Sequence, residues 1–162
     1  KTNFDFEVIS LRAPGLHPSG QGRQWYGLYP HDWNRAEIEV NKLLITLKKF
    51  DTNQIPLTKT ILLGFSQGAA MAIDAGFKLN LGLIVACSGY PHPTWTPGEK
   101  CPPLIVSHGV FDDVVPIEAS RIIYEKVKSK SSEICELIEF DGLHQIDSNL
   151  IDVISSKMGN IF

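Results

Sequence analysis

Apolar positions along this chain change their period several times, and each change marks an element. Between Phe4 and Leu11 apolar and polar residues alternate, with Phe, Val and Ile prominent, which predicts a strand. From Arg12 to His31 no period survives, because Pro14, Pro18 and Pro30 and Gly15, Gly20, Gly22 and Gly27 interrupt it. Loops this long in a compact domain are commonly functional, and Trp25, Tyr26 and Tyr29 argue that this one is ordered. Ala36, Val40, Leu43, Leu44 and Leu47 then recur at three-four spacing, predicting a helix that Asp32 caps and that runs to about Phe50. Glu37, Glu39, Lys42, Lys48 and Lys49 are assigned to its solvent side.

Past the turn at Asp51 to Pro56, Ile61-Leu62-Leu63 is a short apolar strand, and a helix rich in small residues follows Ser66 to about Lys78. Leu81 to Cys87 is continuously apolar, as expected of a central parallel strand buried on both faces. A Pro-rich loop, Pro91 to Pro103, leads to a strand over Leu104 to His108. Pro116 opens a helix through Ile117, Ser120, Ile123, Tyr124 and Val127. A strand over Ile134 to Phe140 and a last amphipathic helix using Ile146, Leu150, Ile151, Val153 and Ile154 complete the chain. Strands alternating with helices, without internal repeat, predict one α/β domain over residues 1–162: an open, mostly parallel sheet with helices on both faces. In such sheets ligands bind beyond the carboxyl ends of the strands.

Composition narrows the function. The formal net charge is −3 and no Lys/Arg cluster occurs, so nucleic acid is not expected as a partner. The longest central apolar run, Leu81 to Cys87, is far short of a membrane span, and the charged, alternating Lys1 to Ser10 does not read as a secretory signal. Cys87, Cys101 and Cys135 are an odd set with no framework spacing, which points to thiols in a reducing, cytoplasmic setting. No His or Cys pair has metal-ligand spacing, and a metal is not expected.

Gly64-Phe65-Ser66-Gln67-Gly68, entered by a strand and left by a helix, is the arrangement of a nucleophile elbow. So sharp a turn leaves no room for a Cβ at Gly64 or Gly68, and it presents Ser66 at the top of the sheet. The Gln67 amide, at the helix start, can donate to a developing oxyanion. A serine nucleophile needs an imidazole to take its proton and a carboxylate to orient that imidazole. Both should follow later strands, in the order acid then histidine. Asp112 and Asp113 follow one such strand, and His144 follows the next. Alone, either aspartate could merely cap the following helix, and His144 could be a surface residue. The coincidence of order and strand-end position favours chemistry. His108 is expected to bond loop backbone, and His17, His31 and His92 follow no predicted strand and are assigned no chemistry.

The elbow, His108-Gly109 with Asp112-Asp113-Val114-Val115-Pro116, and Gly142-Leu143-His144 together resemble the α/β-hydrolase family of small phospholipases and carboxylesterases that includes the acyl-protein thioesterases. The likeness extends to Arg12-Ala13-Pro14, the Gly22 to Trp25 loop and Ser88-Gly89, and covers nearly the whole chain. It implies Ser66 as nucleophile, Asp112 rather than Asp113 as acid, because of its spacing to Val115, and His144 as base. Hydrolysis of a carboxylic ester or acyl thioester, small, lipid or protein-borne, would need no cofactor. Trp25 and Trp95 are the expected walls of the acyl site. The family's second oxyanion donor follows a strand earlier than any here, so the chain is expected to be the C-terminal portion of a longer native domain, lacking N-terminal strands. The alternative is a non-catalytic ligand-binding protein on the same fold.

Overall fold

The computed structural model describes residues 7–131 and 134–161. Four parallel strands form the main sheet: β3 (Ile61–Phe65), β4 (Leu83–Cys87), β5 (Leu104–Gly109) and β6 (Cys135–Phe140), in spatial order 3-4-5-6. Before them come a two-residue hairpin, β1 (Gly15–Leu16) with β2 (Arg23–Gln24), and the helix α1 (Trp33–Lys49). The helices α2 (Gln67–Gly76), α3 (Ile117–Lys128) and α4 (Leu150–Ile161) follow β3, β5 and β6, and β4 runs on to β5 without a helix between them.

The all-apolar β4 reads as it does because both its faces are covered. Ile84 and Ala86 pack with Leu104 and Val106 of β5 against Ala69 and Ile73 of α2 and Ile123 and Val127 of α3. Leu83, Val85 and Cys87 point the other way, onto Leu150 and Ile154 of α4. Successive strand residues face opposite sides, so a strand clad on both must be apolar throughout. A third cluster joins Tyr26 to Ala36, Val40, Leu43 and Leu47 of α1 and Met71 and Ala75 of α2. Asp32 caps α1 as expected, its Oδ1 accepting from the Arg35 amide at 2.9 Å.

Several expectations are corrected. Of the anticipated first strand, Phe4 to Phe6 lie outside the described residues, and Glu7 to Leu11 forms no strand. Alternation there has no partner backbone to pair with among the described residues, and Val8 is 81% exposed. The stretch assigned to loop contains the β1–β2 ladder. Glu39, assigned to solvent, is buried, its carboxylate held by Arg35 at 2.6 Å and Lys42 at 2.9 Å from the same helix. Ile146 precedes α4 and is exposed.

Candidate active site

The carboxyl ends of β3, β5 and β6 bring three side chains together. Ser66 sits between β3 and α2 at φ 53°, ψ −121°, a left-handed conformation that a serine adopts only under constraint. That constraint is visible at Gly64, where a Cβ would stand 2.2 Å from the Gly68 carbonyl oxygen. At Gly68 itself a Cβ would meet nothing within 4 Å, so the expected collision is one-sided. The strand end needs a missing side chain; the helix start does not.

A second close approach assembles the other two residues. A Cβ on Gly109, at the end of β5, would stand 2.3 Å from the Leu143 carbonyl oxygen in the loop after β6. The Phe111 amide donates to the Gly142 carbonyl at 3.0 Å, tying the two loops together. Asp112 and His144 are thereby adjacent. His144 Nδ1 lies 2.8 Å from Asp112 Oδ2, and His144 Nε2 lies 2.9 Å from Ser66 Oγ. The carboxylate assigns the ring proton to Nδ1, which leaves Nε2 to accept from the Ser66 hydroxyl. Asp113 is exposed and has no part in this chain of bonds.

The Asp112 side chain is fully buried yet saturated with donors. Its Oδ1 accepts from the Val114 and Val115 amides, both at 2.9 Å. Its Oδ2 accepts from His144, and His108 Nε2 lies 3.1 Å from it. Burial pushes its carboxyl pKa up, but the Val115 amide, His144 and the Val114 amide outweigh it and hold the group below the usual carboxylate range. His108 is wholly buried and donates to the Val115 carbonyl at 2.8 Å, as its position at the strand end suggested, while Nδ1 accepts from Ser120 at 2.6 Å. Sequence reading missed its contact with Asp112.

Gln67 is the first residue of α2, so its amide has no intrahelical acceptor and stays at the helix's positive end beside Ser66. Its side chain has a role no motif announced. Oε1 accepts from the Trp25 amide and Nε2 donates to the Tyr26 carbonyl, both at 2.8 Å. Trp25 is therefore held next to the elbow, half-buried against the α1–α2 cluster. Trp95 is placed elsewhere. It is buried in the core, edge-on to Phe77 at 5.3 Å, because the Pro-rich loop folds back under the end of α2. It lines a cleft of about 620 Å³ with Trp33, Asp74, Phe77 and His92, and none of Ser66, Asp112 and His144 reaches that cleft. His92 also escaped notice, although it is buried in a hydrogen-bonded chain with Asp74, Tyr26 and Tyr90. Its only sequence signal was a histidine in an apolar loop, which does not reveal a partner 18 residues away.

A parallel sheet clad on both faces, with a serine on a strained strand-to-helix turn, an aspartate after a later strand and a histidine after the last, defines an α/β hydrolase fold. Within that class, residues 2–159 match the model of the Phospholipase/Carboxylesterase family, and the chain belongs to it. It is 28% identical over 168 residues to acyl-protein thioesterase 1 homolog 1 of Dictyostelium discoideum, covering 94% of this chain and 72% of that protein. Homolog 2 of the same organism is 33% identical over 99 residues, which are 55% of this chain and 45% of that protein. Among solved structures, esterase PE8 superposes with a TM-score of 0.79 at 26% identity, covering 93% of this chain and 76% of that one. SOBER1 L63A of Arabidopsis thaliana gives 0.72 at 19% identity, covering 93% and 80%.

Proposed function

We propose that this protein is a serine hydrolase cleaving carboxylic esters or acyl thioesters, with Ser66 as nucleophile, His144 as general base and acid, and Asp112 as its orienting carboxylate. One observation carries the reading: an unbroken hydrogen-bonded chain runs from Asp112 through His144 to a serine held at positive φ on the strand end. Ser66 Oγ attacks the acyl carbonyl carbon while His144 Nε2 takes its proton, and the carbonyl oxygen, now negative, is met by the Gln67 amide. His144 then protonates the departing alkoxide or thiolate as the carbonyl reforms. Water, deprotonated by His144, attacks the acyl-serine and releases the acid. Asp112 stabilises the imidazolium at both stages without being protonated itself. Protein groups and water supply every step.

The acyl-protein thioesterase homologues and the esterase neighbour support an acyl ester or thioester as the bond cleaved, on a small molecule, a lipid or an acylated protein. The three unpaired thiols support a reducing, cytoplasmic setting; burial pushes the Cys87 thiol up to about 12, so it is inert there. Among the described residues no helix is long and apolar enough to cross a membrane.

Intact-mass spectrometry with a fluorophosphonate tests the reading. One adduct per chain that is absent from Ser66→Ala is the expected result. A folded protein that takes no adduct and turns over neither esters nor thioesters would favour the ligand-binding alternative and overturn it.

A further inference from the structure

The aromatic segment after β2 has no ladder or helix of its own, yet Tyr26 within it is 1% exposed. Two polar anchors hold it along α2. At the helix start, the Gln67 side chain grips the backbone of Trp25 and Tyr26. Two turns further on, Asp74 Oδ2 accepts from His92 Nδ1 at 2.8 Å, and His92 Nε2 faces the Tyr26 hydroxyl at 2.9 Å. The carboxylate places the His92 proton on Nδ1, so Nε2 accepts from Tyr26, whose oxygen in turn accepts from Tyr90 at 2.7 Å. Gln67 and Asp74 are seven residues apart on one helix, about 10 Å along its axis. Tyr26 closes the loop between them, backbone at one end and hydroxyl at the other.

These polar groups add little net stability, since each bond replaces one that water offered. What they do add is direction: each bond has one geometry, and apolar packing alone would let the segment slide. The part of the segment so fixed is Trp25, beside the residue that follows the nucleophile. His144 must face the leaving group in order to protonate it, so the acyl chain leaves the reacting carbon on a side other than that of His144.

We propose that Tyr26, His92 and Asp74, with the Gln67 side chain, are positioning residues that set Trp25 as the wall against the substrate's acyl chain and so govern chain-length preference. This rests on the serine-hydrolase reading above. None of the three touches the reacting atoms; they act through Trp25.

The test compares p-nitrophenyl acetate with p-nitrophenyl octanoate on the full chain, since acetate has no chain to reach Trp25. For His92→Phe and Tyr26→Phe, the octanoate-to-acetate ratio of kcat/KM should fall roughly tenfold, through the octanoate KM. Trp25→Ala should reproduce that shift. His92→Gln, whose side-chain oxygen can replace Nε2 as acceptor for Tyr26, should recover most of the ratio, which a purely structural role would not predict. Thermal melts identify variants that stay folded. An unchanged ratio in folded His92→Phe and Trp25→Ala, or no recovery in His92→Gln, overturns the proposal while fluorophosphonate labelling of Ser66 still stands. Absence of both labelling and turnover in the wild type sinks the hydrolase reading itself, and this one with it.

Discussion

Two chains of carboxylate, imidazole and hydroxyl run through this molecule, Asp112 to His144 to Ser66 and Asp74 to His92 to Tyr26, with nearly the same distances between partners. The first measures 2.8 and 2.9 Å, and so does the second. Hydrogen-bond geometry therefore does not distinguish a reactive constellation from a structural one. Three other properties do. The Ser66 backbone is strained and its residue partly exposed, whereas Tyr26 is sealed in the α1–α2 cluster. The His144 side chain is 17% exposed against 4% for His92, so His144 is the more open of the two imidazoles. Asp112 accepts from two amides and one imidazole and has no Lys or Arg partner among the described residues, while Asp74 faces the Lys78 ammonium at 2.7 Å.

The two carboxylates differ in charge balance: Asp74 has a lysine ammonium beside it, whereas Asp112 is met by amides and one imidazole. The hydroxyls differ as well. Burial, then Tyr90, raises the Tyr26 phenol well above its ordinary range, so it stays protonated. Under the proposed hydrolase reading, the shared motif serves chemistry where the hydroxyl can be reached.

The sharpest break between the two chains should come at their hydroxyls. Ser66→Ala should lower kcat by about 10⁴ to 10⁶ and abolish fluorophosphonate labelling, whereas Tyr26→Phe should still give the single adduct, both read by stopped assays and intact mass. Next come the carboxylates. Asp112→Asn should cost about 10⁴ in kcat by presenting His144 in the wrong tautomer, while Asp74→Asn should act through KM. The backbone strain peculiar to the Ser66 chain should show at Gly64. Gly64→Ala drives a methyl into the Gly68 carbonyl and should destabilise the fold by about 3 kcal/mol in urea melts, whereas Gly68→Ala faces open space and should cost far less.

The smallest expected effect is on stability at low pH, and there the two chains should agree. Asp74 and Asp112 both lie below the usual carboxylate range: burial raises each, His92 and Lys78 outweigh it at Asp74, and the Val115 amide and His144 outweigh it at Asp112. A carboxyl depressed in the folded state contributes stability that is full above its unfolded pKa of about 3.9 and is lost as pH falls through the lower folded value. Wild type should therefore lose stability more steeply than Asp74→Asn or Asp112→Asn between about pH 4 and pH 2 in denaturant titrations. Equal slopes in all three would mean that neither carboxylate is held as its contacts imply.

Much of the fold was legible because its signals are local. The both-face burial of Leu83 to Cys87 appears as an apolar run, Asp32 before a three-four pattern appears as a cap, and the strained turn shows in the glycine that a Cβ clash at Gly64 demands. The Ser66, Asp112 and His144 set was legible for a related reason: a parallel sheet delivers every strand end to the same rim, so order along the chain foretells proximity. What alternated without a partner misled. Val8 and Ile9 carry a strand's pattern, yet pairing is a property of two backbones and the pattern belongs to one. Trp95 looked like a wall because it stands in a loop, and the loop's return beneath α2 put it in the core.

The sequence by itself determined the order of elements, the buried strands, the elbow and the residue types of the Ser66 chain, since each depends on covalent spacing, side-chain volume or backbone freedom within a few residues. Only the tertiary structure decided what surrounds Asp112, and that His92, Asp74, Tyr26 and Gln67 form a second polar chain along α2. The contacts of that second chain join residues 18 to 66 positions apart. Such contacts depend on where packing finally brings the segments, and a hydrogen bond tolerates only a few tenths of an ångström in that outcome.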